Sequence, residues 1–174
     1  ADLPDIGYST DIDTVMASSY QVKKQLQQIV KIEQPITNTL LYKRILRIWN
    51  LTRVTTRLQV FIDSLLEDAY KDPLSGDTII YWENKEKAKE CDFYRINSKR
   101  DILDIPILEV MSAARYAIEQ QISMPIEDLK RLTSQLLGFS RKGNNLDMVT
   151  EQTIQLLINK GIFSHANGMV SMNN

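Results

Sequence analysis

The sequence predicts a mainly α-helical chain with small β-hairpins, built as the same helix–turn–helix unit twice. Three observations predict it. First, Ile48-Trp49-Asn50-Leu51-Thr52-Arg53 is answered 88 positions later by Leu136-Leu137-Gly138-Phe139-Ser140-Arg141. Second, at that same offset Leu41 pairs with Leu129, Ile48 with Leu136, Leu58 with Leu146, Phe61 with Val149 and Leu66 with Ile154. Matched apolar spacing reproduces a packing face, which shared composition alone would not do. Third, each copy is followed by short β-branched or aromatic segments separated by turn residues, the pattern of a hairpin. A helix–turn–helix closed by a hairpin is a winged helix. Two tandem winged-helix repeats are therefore the expected architecture, over residues 18–104 and 105–174, behind a flexible leader at 1–17.

The elements follow in order. Residues 1–17 are polar and acidic, with Asp2, Asp5, Asp11 and Asp13 and the breakers Pro4 and Gly7. They read as a loose leader, the tail of a linker from a longer protein. Ser18 or Ser19 is placed to cap a helix through Val22, Leu26, Ile29 and Val30, which Pro35 stops. Thr37 or Asn38 caps the next helix, whose apolar face is Leu40, Leu41, Ile45, Ile48 and Trp49. Asn50 and Gly138 then occupy the sharp turn, as the residue types best suited to a left-handed, helix-ending conformation. Leu51 and Phe139 follow as apolar plugs. Thr52 is a candidate cap for the third helix, which carries Leu58, Phe61, Ile62, Leu65 and Leu66. In the second copy Leu146, Val149, Ile154, Leu157 and Ile158 take the same part.

After a turn over 73–77, Thr78-Ile79-Ile80-Tyr81-Trp82 reads as a strand. The charged stretch Glu83 to Asp92 reads as a solvated loop, with Phe93-Tyr94-Arg95-Ile96 as the returning strand. Ile105-Pro106 opens a helix through Val110, Ala113, Ala114, Ala117 and Ile118. The second copy ends on Gly161-Ile162-Phe163, a turn over Ser164 to Gly168, and Met169-Val170-Ser171-Met172. Trp49 and Trp82 are large enough to stack on bases, but both sit in apolar patterns and are expected in the core.

Composition narrows the function. With 43% hydrophobic and 25% charged residues the chain resembles an ordinary globular protein. No apolar run approaches the roughly 20 residues of a membrane span, and Ala1-Asp2-Leu3-Pro4-Asp5 lacks a signal peptide's apolar core. Cys91 is the only cysteine, which excludes an internal disulfide and suits a reducing cytoplasm. The net charge of −1 argues against a protein that coats nucleic acid, so any binding must come from local patches.

Signals of catalysis are missing. The glycines at 138, 143, 161 and 168 lack a phosphate-cradle spacing. His165 is the sole histidine, so a histidine-based metal cluster or a Ser/His/Asp triad cannot be assembled. It is read as a solvated residue on the second wing turn. No carboxylate pair has a compelling acid/base spacing. Neither a cofactor nor a metal is expected.

One region stands out by charge. From Gln34 to Ile62 there is no acidic residue, while Lys43, Arg44, Arg47, Arg53 and Arg57 all fall inside it. In helix–turn–helix proteins this stretch presents the recognition helix to a groove while basic neighbours hold phosphates. Arg53, Thr55, Thr56 and Arg57 are the candidate contacts, flanked by Lys43, Arg44 and Arg47. The second copy offers Arg141, Lys142, Asn144 and Asn145, but Glu127, Asp128, Asp147 and Glu151 lie near them. The plainer reading stays open: arginines on amphipathic helices also lie in solvent and cover apolar surface with their stems.

Several strings carry a family resemblance: Glu33-Gln34-Pro35-Ile36, Leu41-x-x-Arg44-Ile45, Trp49-Asn50-Leu51-Thr52-Arg53, Ile79-Ile80-Tyr81-Trp82 and Tyr94-Arg95. Asp104-Ile105-Pro106 with Glu109 and Ala113, and Leu137-Gly138-Phe139-Ser140-Arg141-Lys142-Gly143, belong with them. Across about residues 20–163 the chain resembles a bacterial domain of unknown function. That domain lies towards the C-terminal end of large proteins resembling superfamily I DNA/RNA helicases, which often also carry a restriction-endonuclease-like nuclease domain. The family's habit at the first turn is glycine, where this chain has Asn50, and Val54-Thr55 stands where the second copy has Lys142-Gly143.

The resemblance implies a non-catalytic accessory module whose partners are DNA and the helicase and nuclease domains of the same polypeptide, and the cysteine usage places it in the cytoplasm. The resemblance supplies no catalytic residues, and the lack of a long apolar run argues against membrane contact. The alternative is a docking scaffold without nucleic-acid contact, acting within its polypeptide or as a homo-oligomer, because fold does not fix function.

Overall fold

A computed structural model of the chain describes residues 11–96 and 99–173. It is mainly helical, with two small antiparallel sheets, and divides into two compact units, Ala1–Glu90 and Cys91–Asn174. The expected leader falls partly outside the described residues, which exclude Asp2, Pro4, Asp5 and Gly7. From Asp11 onward it is not loose. Helix α1 (Ile12–Ala17) starts on Asp11, whose Oδ1 accepts the Thr14 N–H at 2.7 Å, and buries Val15 completely. An apolar residue one turn beyond a capped start is enough to dock even six residues.

The first unit continues with α2 (Ser19–Glu33), β1 (Ile36–Thr37), α3 (Asn38–Ile48), α4 (Thr56–Leu65), β2 (Tyr70–Lys71), β3 (Ile80–Trp82) and α5 (Lys85–Lys89). Thr37 caps α3, its Oγ1 accepting the Leu40 N–H at 3.2 Å. Helix α4 is capped not by Thr52 but by Thr55, whose hydroxyl accepts from Leu58 N–H at 3.2 Å. The turn is thus three residues longer than a Thr52 cap requires. Leu26, Leu41, Ile45, Leu58, Ile62 and Tyr81 meet in the core beneath these helices. Trp49 and Trp82 are both buried, and their indole N–H groups donate to Gln25 and Asp72, each at 2.8 Å. Buried indoles with satisfied donors are core residues.

Strand β3 is the centre of the first sheet, in the order β1-β3-β2, with Ile36 opposite Tyr81 and Tyr70 opposite Trp82. The expected partner, 93–96, forms no strand. Its backbone goes elsewhere, because Arg95 N–H donates to Glu109 Oε2 at 3.0 Å. The charged stretch after β3 is also not all loop, since Asn84 caps the exposed α5 by accepting from Lys87 N–H at 2.9 Å.

The second unit comprises a 3-10 turn (Ile102–Asp104), α6 (Ile107–Glu119), β4 (Met124–Pro125), α7 (Ile126–Leu136), α8 (Asn144–Asn159), β5 (Phe163–Ala166) and β6 (Met169–Met172). Its sheet order is β4-β6-β5, so each unit inserts its last strand between the other two. The 88-residue offset carries β1 onto β4 and α3 onto α7, and sets the starts of α2 and α4 on those of α6 and α8. At the shared turn Asn50 has φ 49° and Gly138 φ 91°. Past it, Leu51 N–H donates to Leu46 O at 2.8 Å and Phe139 N–H to Ser134 O at 3.0 Å, both closing the preceding helix. Leu51 and Phe139 pack against the cores of their units, as plugs.

His165 lies on strand β5, exposed and opposite Val170, not on a turn. The turn shrinks to Asn167-Gly168, at φ 53° and 76°, the two positive values a two-residue hairpin loop needs.

Residues 91–96 and 99–104, expected at the end of the first repeat, pack within the second unit. Glu109 of α6 is fully buried and binds both Arg95 and Arg100, while Ile102 and Ile105 join Val110 and Leu146 in a core cluster. Burial alone would raise the Glu109 carboxyl, but hydrogen bonds from Arg100 and Arg95 outweigh it and hold the group below its ordinary value. The stabilisation is present above the ordinary glutamate range and disappears as pH falls below it. Glu109→Gln strands two cations, so we expect a loss of about 3–5 kcal/mol at neutral pH in urea unfolding, with a flatter acid limb. Asn50→Ala should cost about 1 kcal/mol, while Asn50→Gly should cost nothing. Equal losses from both would show that φ at residue 50 does not govern this turn.

Candidate nucleic-acid interface

Helix α3, the turn and the start of α4 carry the predicted cations, and the structure sorts them. Lys43 and Arg47 are exposed and one turn apart, hence on one face of α3. Arg44 does different work: its Nε and Nη2 donate to the Glu33 carboxylate at 2.8 and 2.7 Å, tying α3 to α2. A bidentate, half-buried pair of this kind is a structural fork whose charge is already met by a carboxylate. Thr55 is similarly engaged as the α4 cap. Thr56 is exposed in the first turn of α4, and Arg53 is exposed in the loop before it. Neither Arg47 nor Arg53 has an ion-pair partner among the described residues. Arg57 is exposed but paired, its Nη2 donating to Asp13 of α1 at 2.7 Å. A cleft of about 380 Å³ opens beside α1, lined by Asp11, Ile12, Leu51, Thr52, Arg53 and Arg57. The acidic segment expected to be loose therefore supplies one wall of the cationic patch.

The corresponding corner of the second unit is built on opposite terms. Arg141 and Lys142 are exposed in the turn, and Asn144 and Asn145 open α8. Behind them Lys130 is buried, its Nζ 2.7 Å from Asp147, 3.1 Å from Glu151 and 3.3 Å from Glu127. Arg131 pairs with Asp128 at 2.9 Å. Burial alone would lower the Lys130 ammonium, but the hydrogen bonds to Asp147, Glu151 and Glu127 reverse this and hold it above the usual lysine range. The acids near this turn are thus spent on internal cations. Both flank a cleft of about 600 Å³ between α7 and α8, also lined by Phe139, Arg141 and Asn144.

Lys130 and Tyr42 are 88 positions apart, and so are Glu151 and Asp63. In the first unit Tyr42 OH donates to the two Asp63 carboxylate oxygens at 2.7 and 2.9 Å and accepts from Asn38 Nδ2 at 3.3 Å. Burial, then the Asp63 carboxylate, push the Tyr42 phenol well above its ordinary value. Tyr81 is pushed up to about 12, first by burial and then by Asp63. Each unit therefore braces the helix before its turn against the helix after it at the same two positions, once by phenol and carboxylate, once by ammonium and carboxylate. Sequence reasoning missed this brace. A signal existed: a polar residue at both 42 and 130, each beside a leucine matched across the copies at 41 and 129.

A protein-family model described as "Protein of unknown function (DUF3320)" matches residues 16–60, from the end of α1 through the first half of α4. No match is found among curated proteins or solved structures. The matched stretch supports a domain of unknown function and contains Lys43, Arg47, Arg53 and Arg57. Among the described residues no group of His, Cys, Asp and Glu could hold a metal ion, and no helix is long and apolar enough to cross a membrane.

The two braces should respond differently to salt. Tyr42→Phe leaves Asp63 without its donor, and we expect about 1–3 kcal/mol of lost stability at any ionic strength. Lys130→Met leaves three carboxylates facing one another, so its loss should be largest at low salt and shrink as salt screens them. Urea unfolding at two ionic strengths distinguishes the cases, and a Lys130→Met loss indifferent to salt would contradict the electrostatic account.

Proposed function

We propose that this chain is a non-catalytic accessory module that binds DNA through the α3–turn–α4 element of its first unit. The observation that carries the reading is the pair Arg47 and Arg53, exposed on either side of the turn and without ion-pair partners among the described residues. Exposed Lys43 and Thr56 extend the same surface. Arg47 and Arg53 can release counterions from a nucleic-acid backbone, the main source of non-specific affinity. The order helix, strand, helix, helix, strand, strand, with the last strand central, supports a winged-helix reading of both units. In that fold α4 and α8 are the helices a groove would receive. The family resemblance adds the setting, helicase and nuclease domains of the same polypeptide to which DNA is guided, and the single cysteine suits a reducing cytoplasm.

A docking scaffold is the second reading, favoured by exposed Phe93, Ile96, Leu103 and Tyr116 in the second unit. It takes a domain of the same polypeptide, or a second copy, as partner.

Fluorescence anisotropy with short duplex and single-stranded DNA at low and moderate salt tests the first reading. We expect salt-sensitive binding, and for Arg47→Ala/Arg53→Ala a salt slope smaller by about two, one per lost phosphate contact. Binding by this variant as tight as wild type at low salt would move the site elsewhere. No binding by the wild-type chain would favour the docking scaffold.

A further inference from the structure

Helix α8 has an outward face with no charge on it. Asn145, Met148, Gln152, Gln155 and Asn159 are all exposed and recur at the spacing of one helical stripe. The two charged residues of this 16-residue helix, Asp147 and Glu151, both turn to Lys130, at 2.7 and 3.1 Å. Gln155 Nε2 also donates to Glu151 at 3.3 Å, which leaves the amino-terminal half of the stripe as its unengaged part. A solvated helix face in a chain that is 25% charged ordinarily carries lysine and glutamate. Here both carboxylates lie on the side that faces Lys130, where Asp147 stays 66% exposed, and the outward stripe carries amides with Met148 45% exposed between them.

We infer that α8 is a base-reading helix, with Asn145 and Gln152 as the reading amides and Met148 as the apolar contact. The inference rests on the DNA-binding reading of the first unit and adds to it the part that senses sequence. A carboxamide presents a donor and an acceptor side by side, the pattern that matches adenine N7 and its amino group in the major groove. An apolar side chain beside it suits the thymine methyl. A helix of roughly 10–12 Å diameter fits a major groove about 12 Å wide. Exposed Arg141 and Lys142, in the turn before α8, are placed to hold the flanking phosphates. The ligand class is duplex DNA containing A·T pairs. The two units then divide the work, phosphate grip in the first and base reading in the second.

The test selects bound duplexes from a randomised library with the intact chain, then measures the selected and a scrambled duplex with three proteins: wild type, Asn145→Ala/Gln152→Ala and Arg47→Ala/Arg53→Ala. We expect wild type to select an A·T-containing motif. The amide variant should lose about tenfold or more of the preference for it, keeping its affinity for the scrambled duplex and its salt slope. The arginine variant should weaken on both duplexes alike and keep the preference. All four positions are solvent-exposed, so thermal melts of both variants should match wild type. Wild-type binding without any sequence preference, or a preference intact in the amide variant, overturns the inference while leaving the DNA reading standing. No binding to any duplex overturns both.

Discussion

Each unit depends on one backbone reversal, the change of direction between α3 and α4 in the first and between α7 and α8 in the second. The chain must leave a helix, turn and cap a new one within a few residues, with the orphaned carbonyls of the first helix still satisfied. A residue at positive φ does this, because it swings the following N–H groups back onto the helix it ends. Asn50 and Gly138 occupy that position, at 49° and 91°. Everything downstream inherits the geometry: where Leu51 and Phe139 plug the core, where α4 and α8 begin, and so which side chains reach solvent at their starts. Asparagine is a workable second choice to glycine here, since its short polar side chain tolerates the left-handed region better than other residues with a Cβ.

On that common frame the two units have been given opposite electrostatics. In the first, the brace between helices is made by neutral Tyr42 on Asp63, and of the nearby arginines Arg44 and Arg57 are paired with Glu33 and Asp13 while Arg47 and Arg53 have no ion-pair partner among the described residues. In the second, the brace is a lysine that gathers three carboxylates, so negative charge is concentrated beneath the turn and removed from the outer face of α8. Only Lys130 is buried in this cluster, and ion pairs whose carboxylates stay exposed contribute little to stability. The cluster's value here is in arrangement: it decides which groups are left on the surface. The Asp13–Arg57 pair works in the same way at the first turn, tempering one arginine and leaving Arg47 and Arg53 distinct from it.

Much of the helical frame was legible because helices announce themselves locally. The apolar faces of α3 and α7, the Thr37 cap and the left-handed residues at 50 and 138 all depend on neighbours within a turn or two. The strand content was harder. Ile36–Thr37 and Met124–Pro125 are two residues each, too short for any alternation to register. Without them β3 has no partner visible in the sequence, and the apolar stretch at 93–96 offers itself as one. What disqualifies that stretch is Glu109, fourteen residues beyond Arg95 and committed by burial to arginine partners. The candidate site divides similarly. Which cations exist is plain from composition, but whether each is occupied is decided by Glu33, Asp13 and the carboxylates around Lys130, contacts made across elements that no local pattern relates.

The strand order has a consequence for how the chain comes off the ribosome. In both sheets the strand last in sequence sits in the middle, between two that do not touch each other. Strands β1 and β2 therefore have no hydrogen-bonding neighbour until β3 has emerged, and β4 and β5 wait likewise for β6. The helices of a unit can pack as they are made, since their contacts are close in sequence, but its sheet cannot begin to assemble in parts. During synthesis each nascent unit would pass through a stage with its helical core formed and two lone strand edges exposed. Arrival of Ile80–Trp82, or of Met169–Met172, closes both edges in a single step.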